Sequence, residues 1–290
     1  MLAVDIGGTK LASAVVTPSG TVVARQRRDT VAPDGEALFE VLAELLSATL
    51  GVFRATEGDA AAVSVIGVGC GGPMAPGGET VSPLNIAPWR LFPLRSRLTD
   101  RFGLPVFVDN DAKALTRAEG WLGAAQGERN YLARVVSTGV GAGIVVDGRL
   151  LEGASGNAGH IGHVVVEPDG RPCACGGRGC LEAEASGPSI AALTGAPAAQ
   201  APLEVRQRTG RLVGRAVASV VNLLDLRLAL VGGSVALGFG QPFLDAANQE
   251  LALRSRISYA VGARIALVGL GADGPLVGAA AVGRHGLGLP

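Results

Sequence analysis

The chain has little lysine, few aromatics and little charge. Lys10 and Lys113 are its only lysines, so the other 23 cations are arginines. A Walker A loop needs Gly-Lys-Ser/Thr, yet Lys10 follows Thr9 and Lys113 follows Ala112, which excludes that phosphate loop. The protein-kinase Val-Ala-Ile-Lys signature is missing for the same reason. Aromatics make up 4% and charged residues 17%, with 25 acids against 25 bases. That balance lacks the cationic field that drives non-specific nucleic-acid binding. No uncharged apolar run approaches the ~18 residues a membrane helix needs. The longest candidate, 217–230, is broken by Asp225 and Arg227. The opening MLAVDIGG has no charged stretch ahead of an apolar one, so a cytoplasmic location is expected.

What is abundant points to an α/β protein. Apolar residues reach 48%, with 44 glycines and 16 prolines among 290 residues. This excludes a disordered chain or a coiled coil, and the length fits one large domain or two ordinary ones at roughly 150 residues each. Residues 2–5, 11–16 and 21–25 read as an antiparallel meander joined at Gly7-Gly8 and Ser19-Gly20. Asp34 is expected to cap a helix with Leu38, Leu42, Leu45 and Leu46 on its apolar face and Gly51 at its end. Residues 63–68 read as a buried strand leading into a proline- and glycine-rich loop to about Trp89. Further strands are expected at 106–109, 131–136, 142–147, 228–231 and 264–268. Helices are expected at 111–122, 188–194, 203–225, 241–254 and 275–284. The first 110 and last 170 residues both begin with strands and continue into helices, which hints at two related halves.

Several segments carry chemistry. Gly67-Val-Gly69-Cys-Gly71-Gly72 matches G-x-G-x-x-G, but Pro73 and Pro76 follow, and no acid stands about 20 residues on. A dinucleotide fingerprint is therefore rejected, and the glycines are expected to admit a small ligand near the backbone. Asp5-Ile-Gly-Gly-Thr-Lys10 reads either as a plain hairpin turn or as a phosphate-holding turn with a metal-facing carboxylate. Ser137-Thr138-Gly139-Val140-Gly141 repeats that design, and Gly232-Gly233 ends another strand. Asp109-Asn110-Asp111 joins a strand to a helix, where such residues cap and where α/β proteins place ligands. His163 with Cys173, Cys175 and Cys180 offers three thiols and an imidazole, a closed tetrahedral set for a structural zinc ion. Cys70 reads as a small buried apolar residue.

Together these residues resemble the ROK sugar kinases of the bacterial glucokinase type. The resemblance rests on DIGGTK at 5–10, GGP at 71–73, SPLNIAPW at 82–89, VDNDAKA at 108–114, STGVGAG at 137–143, GNAGHIGH at 156–163, CACGGRGCLE at 173–182 and LVGGSVA at 230–236. It implies a two-domain sugar kinase/actin-like ATPase fold of α/β class with an active-site cleft between the domains. The expected domains are 1–110, completed by a C-terminal helix at about 275–290, and 111–274 with a zinc-binding loop at 156–187. The implied reaction is ATP-dependent phosphorylation of a hexose 6-hydroxyl, with glucose as first guess. Asp111 would be the general base. Gly72, Asn85, Asn110, Asp111, His160, His163 and Glu182 would line the sugar. Asp5, Gly7, Gly8, Thr9, Lys10, Thr138, Gly139, Gly141, Gly232 and Gly233 would serve ATP and its phosphates, with Asp5 also toward Mg²⁺. The expected partners are a sugar and a nucleotide, with no nucleic acid or membrane, in a homodimer or homotetramer.

Two departures from the family pattern stand out. His160 occupies the place of a glutamate that contacts the sugar near C1–C2, and, a smaller deviation, Lys113 replaces the usual asparagine or similar residue after the base. The first opens an alternative, an amino-sugar kinase for N-acetylmannosamine, N-acetylglucosamine or a 3-amino-glucose. A non-catalytic sugar sensor is a further alternative. The family's repressors carry a helix-turn-helix before the first strand; with Asp5 the fifth residue of the sequence, a repressor is not expected.

Overall fold

The structure, a computed structural model, describes residues 1–58, 62–137 and 139–289. By compactness it divides into two units. The first holds residues 1–122, 152–158 and the chain from Leu270 on; the second holds 123–151 and 159–269.

In the first unit the meander forms as expected: β1 (Leu2–Ile6), β2 (Lys10–Val16) and β3 (Val22–Asp29). Helix α1 (Gly35–Glu57) follows, with the Asp34 side chain accepting the Ala37 N–H at 2.8 Å. The expected stop at Gly51 is overturned, because the helix runs on to Gly58. A mid-helix glycine costs only about 1 kcal/mol relative to alanine, and the packed leucine face outweighs it. Strand β4 (Ile66–Cys70) starts three residues later than expected. Helix α2 (Leu94–Phe102) was not foreseen; its short, arginine-rich stretch buries only Leu94 and Leu98. Strand β5 (Val106–Asn110) and helix α3 (Asp111–Trp121) follow.

The sheet order is β3-β2-β1-β4-β5, with β1, β4 and β5 parallel. Leu2, Val4 and Ile6 pack with Leu38, Leu42 and Leu45 on one face of this sheet. The alternation of a strand turns Ala3 to the other face.

The second unit repeats the plan with β6 (Tyr131–Val136), β7 (Val140–Val146), β8 (Arg149–Leu150), β9 (Leu228–Gly232) and β10 (Arg264–Leu267). Its order is β10-β9-β6-β7-β8, again a meander followed by parallel neighbours. The hint of two related halves is thus realised as two sheets of one topology. Between β8 and β10 lie α4 (Leu181–Ala185), α5 (Gly187–Thr194), α6 (Leu203–Leu224) and α7 (Ser234–Arg254). Helix α7 begins seven residues earlier than expected and bends at Gly240, one residue before the expected start. Arg134 on β6 shares a face with Leu132 and Val136. It is fully buried, and its guanidinium nitrogens have no hydrogen-bond partner among the described residues.

The last helix, α8 (Gly274–Gly286), returns to the first unit. Its Leu276, Ala279 and Ala280 cover Ala3, Ala14 and Val16. A Cβ at Gly67 would overlap the Ala279 carbonyl oxygen. The expectation that this glycine admits a ligand is therefore corrected: Gly67 admits helix α8. Helix α3 packs on α8 through Ala118, Val277 and Ala281, and so belongs to the first unit although the expected boundary fell at 110.

Candidate active site and zinc centre

In the first unit, three parallel strands end side by side. Ile6 pairs with Cys70, and Cys70 with Asn110. Each strand then breaks into a candidate segment: Gly7-Gly8 after β1, Gly71-Gly72 after β4, and Asp111 at the head of α3. One residue earlier, Asp5, Gly69 and Asp109 form a row across the sheet. Ligands collect at such carboxyl ends because the chain leaves the sheet there and exposes backbone and capping groups.

The Gly7-Gly8 turn is closed by the Gly7 N–H donating to the Lys10 carbonyl at 3.0 Å, so that N–H is committed to the hairpin. The Thr30 hydroxyl donates to the Gly7 carbonyl at 2.7 Å, and the Thr30 N–H to the Thr9 carbonyl at 3.1 Å. A Cβ at Gly8 would stand 2.6 Å from the Cβ of Asn85. The glycine thus lets the Asn85 loop close on the turn. Gly8, Thr9, Lys10 and Asn85 are exposed, and Gly72 is half-buried.

At the β5–α3 junction the Asn110 side-chain oxygen accepts the Ala112 N–H at 3.0 Å, and the Asp111 carboxylate accepts the same N–H at 2.8 Å. Capping is therefore real, and it aims Asp111 from the first helical position. Burial, and then the charge of Asp111, push the Asp5 carboxyl up to about 7, against the pull of Lys10. Burial also raises Asp109, which the Arg117 guanidinium and the Asn110 N–H partly offset. Cys70 is fully buried, and its thiol is raised first by burial and then by Asp111 and Asp5. Its reading as a small core residue holds.

In the second unit the zinc set assembles as expected. One ligand atom from each of His163, Cys173, Cys175 and Cys180 lies within 4.8 Å of the others. His163 Nδ1 and Cys173 Sγ are 3.7 Å apart, as are the sulfurs of Cys175 and Cys180. Zinc–sulfur bonds of about 2.3 Å at tetrahedral angles imply sulfur–sulfur spacings near 3.8 Å, so the set fits a closed zinc shell. The Gly177 N–H and neighbouring thiols hold Cys175 below the ordinary thiol range, while burial and adjacent thiols push Cys180 up to about 12. The loop has a support the sequence did not reveal: buried Glu184 accepts the Arg171 N–H and an Arg208 N–H, each at 2.6 Å. Burial acts to raise its carboxyl, yet these donors hold it below the usual range.

His160 is exposed, and its ring lies parallel to that of His163 with centroids 6.0 Å apart. Glu182, the second residue of α4, accepts the Val140 N–H at 2.8 Å. It therefore reaches the glycine turn after β6. Gly141, Val135 and Gly232 form a row across three strands. Gly233 follows, and Gly139 lies in the turn after β6. The expected phosphate ligand Thr138 lies outside the described residues.

The Ser137 and Ser234 hydroxyls meet at 3.0 Å, drawing the turns after β6 and β9 together. They border a cavity of about 340 Å³ whose walls include Pro188, Pro197, Val235 and Phe239. The sequence reading did not assign Pro188, Pro197 or Phe239 to a site. Only the strand-ending glycines beside Ser137 and Ser234 signalled them.

The ROK family model matches residues 1–285. A glucokinase of Halalkalibacterium halodurans is 33% identical over 313 aligned positions, covering 95% of this chain and 92% of that protein. An N-acetylmannosamine kinase of Citrobacter koseri is 37% identical over 254 positions, 82% of this chain and 84% of its own. Among solved structures, a ROK family glucokinase from Streptomyces griseus in complex with glucose and AMPPNP superposes with a TM-score of 0.84. It is 28% identical and covers 98% of this chain and 99% of that one. These matches give the chain the two-domain, actin-like α/β fold of the sugar kinases. No helix among the described residues is long and apolar enough to cross a membrane. The chain belongs to the ROK family.

Proposed function

We propose that this sugar kinase moves the γ-phosphoryl group of ATP to the 6-hydroxyl of a hexose, glucose first. The observation that carries the reading is the Asn110–Asp111 pair at the carboxyl end of β5, with Asp5 near enough to feel the Asp111 charge. The bond from γ-phosphorus to the bridging oxygen breaks, and a bond to the sugar O6 forms. The O6 proton passes to the Asp111 carboxylate at the exposed head of α3. Such transfer needs positioned phosphates and a base more than covalent chemistry from the protein.

In the first unit, Asn110, Asn85 and the Gly72 backbone bind the sugar, and Gly8, Thr9 and Lys10 hold phosphate, while Gly7, its N–H committed to the hairpin, shapes their turn. Asp5 would hold Mg²⁺, which would supply neutralisation of phosphate charge. In the second unit Thr138, Gly139, Gly141, Gly232 and Gly233 line the nucleotide, and the cavity beside Ser137 and Ser234 takes its base. His163, Cys173, Cys175 and Cys180 would hold zinc, which would fix the His163 ring. With Nδ1 toward the sulfurs, Nε2 is left for a sugar hydroxyl. In this second unit His160 and Glu182 are the further sugar ligands.

The second reading, an amino-sugar kinase, draws on His160 beside His163 and on likeness to the N-acetylmannosamine kinase. ADP release measured over glucose, mannose, N-acetylglucosamine and N-acetylmannosamine tests both. Turnover of glucose above the amino sugars supports the first reading and the reverse the second; no turnover of any overturns the kinase assignment.

A further inference from the structure

Lys113 is the second residue of its helix after Asp111, and at 1% exposure it is sealed from water. A buried ammonium is costly unless hydrogen bonds replace its hydration. Here they come from one short stretch of chain: the Glu152 carboxylate at 2.6 Å and the Gly156 carbonyl at 2.8 Å. Glu152 is half-exposed, and its other oxygen lies 3.4 Å from Arg117, which in turn lies 3.4 Å from Asp109. One charged chain therefore runs from Asp109, beside Asn110, to Glu152.

Residues 152–158 have no strand or helix of their own to hold them. The segment closes on itself, with the Ala158 N–H donating to the Glu152 carbonyl at 2.9 Å.

We infer that Lys113 is a positioning residue: through Glu152 and Gly156 it pins the 152–158 segment to the helix headed by Asp111, and so holds the first turn of that helix, with Asn110 and Asp111, in place for the sugar. The inference deepens the sugar-kinase reading and rests on it for its kinetic consequence.

The test compares the full-length wild type with Lys113→Met and Glu152→Gln. Sugar and ATP kinetics are measured with glucose and N-acetylmannosamine, and amide hydrogen exchange is followed over 152–160. Lys113→Met should raise the sugar KM about tenfold or more, because sub-ångström displacement of binding groups carries penalties of this order. The ATP KM should stay within about twofold, and exchange over 152–160 should quicken. Glu152→Gln, which keeps an acceptor but loses the charge, should move both readouts less and in the same direction. A merely structural lysine would lower Tm and leave the sugar KM alone, and that result overturns the inference. If Lys113→Met does not fold, Glu152→Gln decides by itself, and an unchanged sugar KM there overturns it. A wild type that turns over neither sugar removes the kinase reading. The exchange arm then still decides the clamp, unaltered exchange in both variants overturning it.

Discussion

The Glu182 carboxylate accepts the backbone N–H of Val140 at 2.8 Å, tying the start of the helix after the last zinc cysteine to the glycine turn after β6. A residue expected to serve the sugar thus also braces a turn proposed to hold phosphate. Glu182→Ala should raise the KM for ATP as well as for sugar. Glu182→Gln keeps an acceptor for Val140 and should spare ATP while weakening sugar. Steady-state kinetics on both substrates check this, and equal ATP KM values in wild type and Glu182→Ala would refute the bracing role.

The Asp5–Asp111 pair ties activity and stability to pH. Because the folded Asp5 carboxyl is raised to about 7 from 3.8, the folded chain holds a proton that the unfolded chain has lost. Its stabilising share is present at low pH and is lost as pH rises toward 7. Asp5→Asn should therefore gain stability over wild type between pH ~5 and ~8, by about 1–3 kcal/mol with a discount for its partial access to water. Urea denaturation without divalent metal at the two pH values measures it; an equal offset at both contradicts the shift. Asp111→Asn should lower kcat by about 10²–10⁴, the usual worth of a general base, and let Asp5 ionise at lower pH. A loss under about tenfold removes Asp111 from that role.

One zinc ion per chain is expected on His163, Cys173, Cys175 and Cys180. Ligation free energy is folding free energy for a loop with so little other structure. Cys175→Ala should disorder the zinc loop and abolish sugar binding, with the first unit still folded. Metal analysis finding no zinc, together with ready thiol titration of all three cysteines in the native protein, would count against the site.

His160→Glu should shift kcat/KM among sugars that differ at C1–C2 by about tenfold or more. A carboxylate only accepts, whereas a neutral imidazole accepts once and donates once. Each mismatched buried group costs roughly 1–3 kcal/mol. A uniform change across sugars, or none, makes His160 a bystander beside the zinc loop.

Arg134 is a buried cation whose burial lowers its pKa to about 9, so it stays charged at neutral pH. Replacing buried charged groups by apolar side chains of similar volume is often neutral or stabilising, by about 1–4 kcal/mol. Arg134→Met should raise the urea midpoint accordingly. A lower midpoint would reveal a compensating partner for the guanidinium.

The sequence by itself determined what depends on neighbours along the chain. The meander at the start follows from alternating apolar residues and turn glycines, and the junction at Asn110–Asp111 from capping chemistry. The zinc set was legible because its ligands fall within 18 residues and thiol–imidazole spacing is a local property. Lys113 stood out in the sequence as a departure, but its partners lie 39 and 43 positions away. Ser137 meets Ser234 across 97 positions, and Gly67 is a glycine because α8, more than 200 residues later, lies on it. Such contacts are decided by which faces must be covered once both sheets exist. Local propensity carries no information about that, since any sufficiently apolar helix of the right length would satisfy it. Tertiary packing alone made Gly67 a contact for α8, Lys113 an anchor and Arg134 a buried charge.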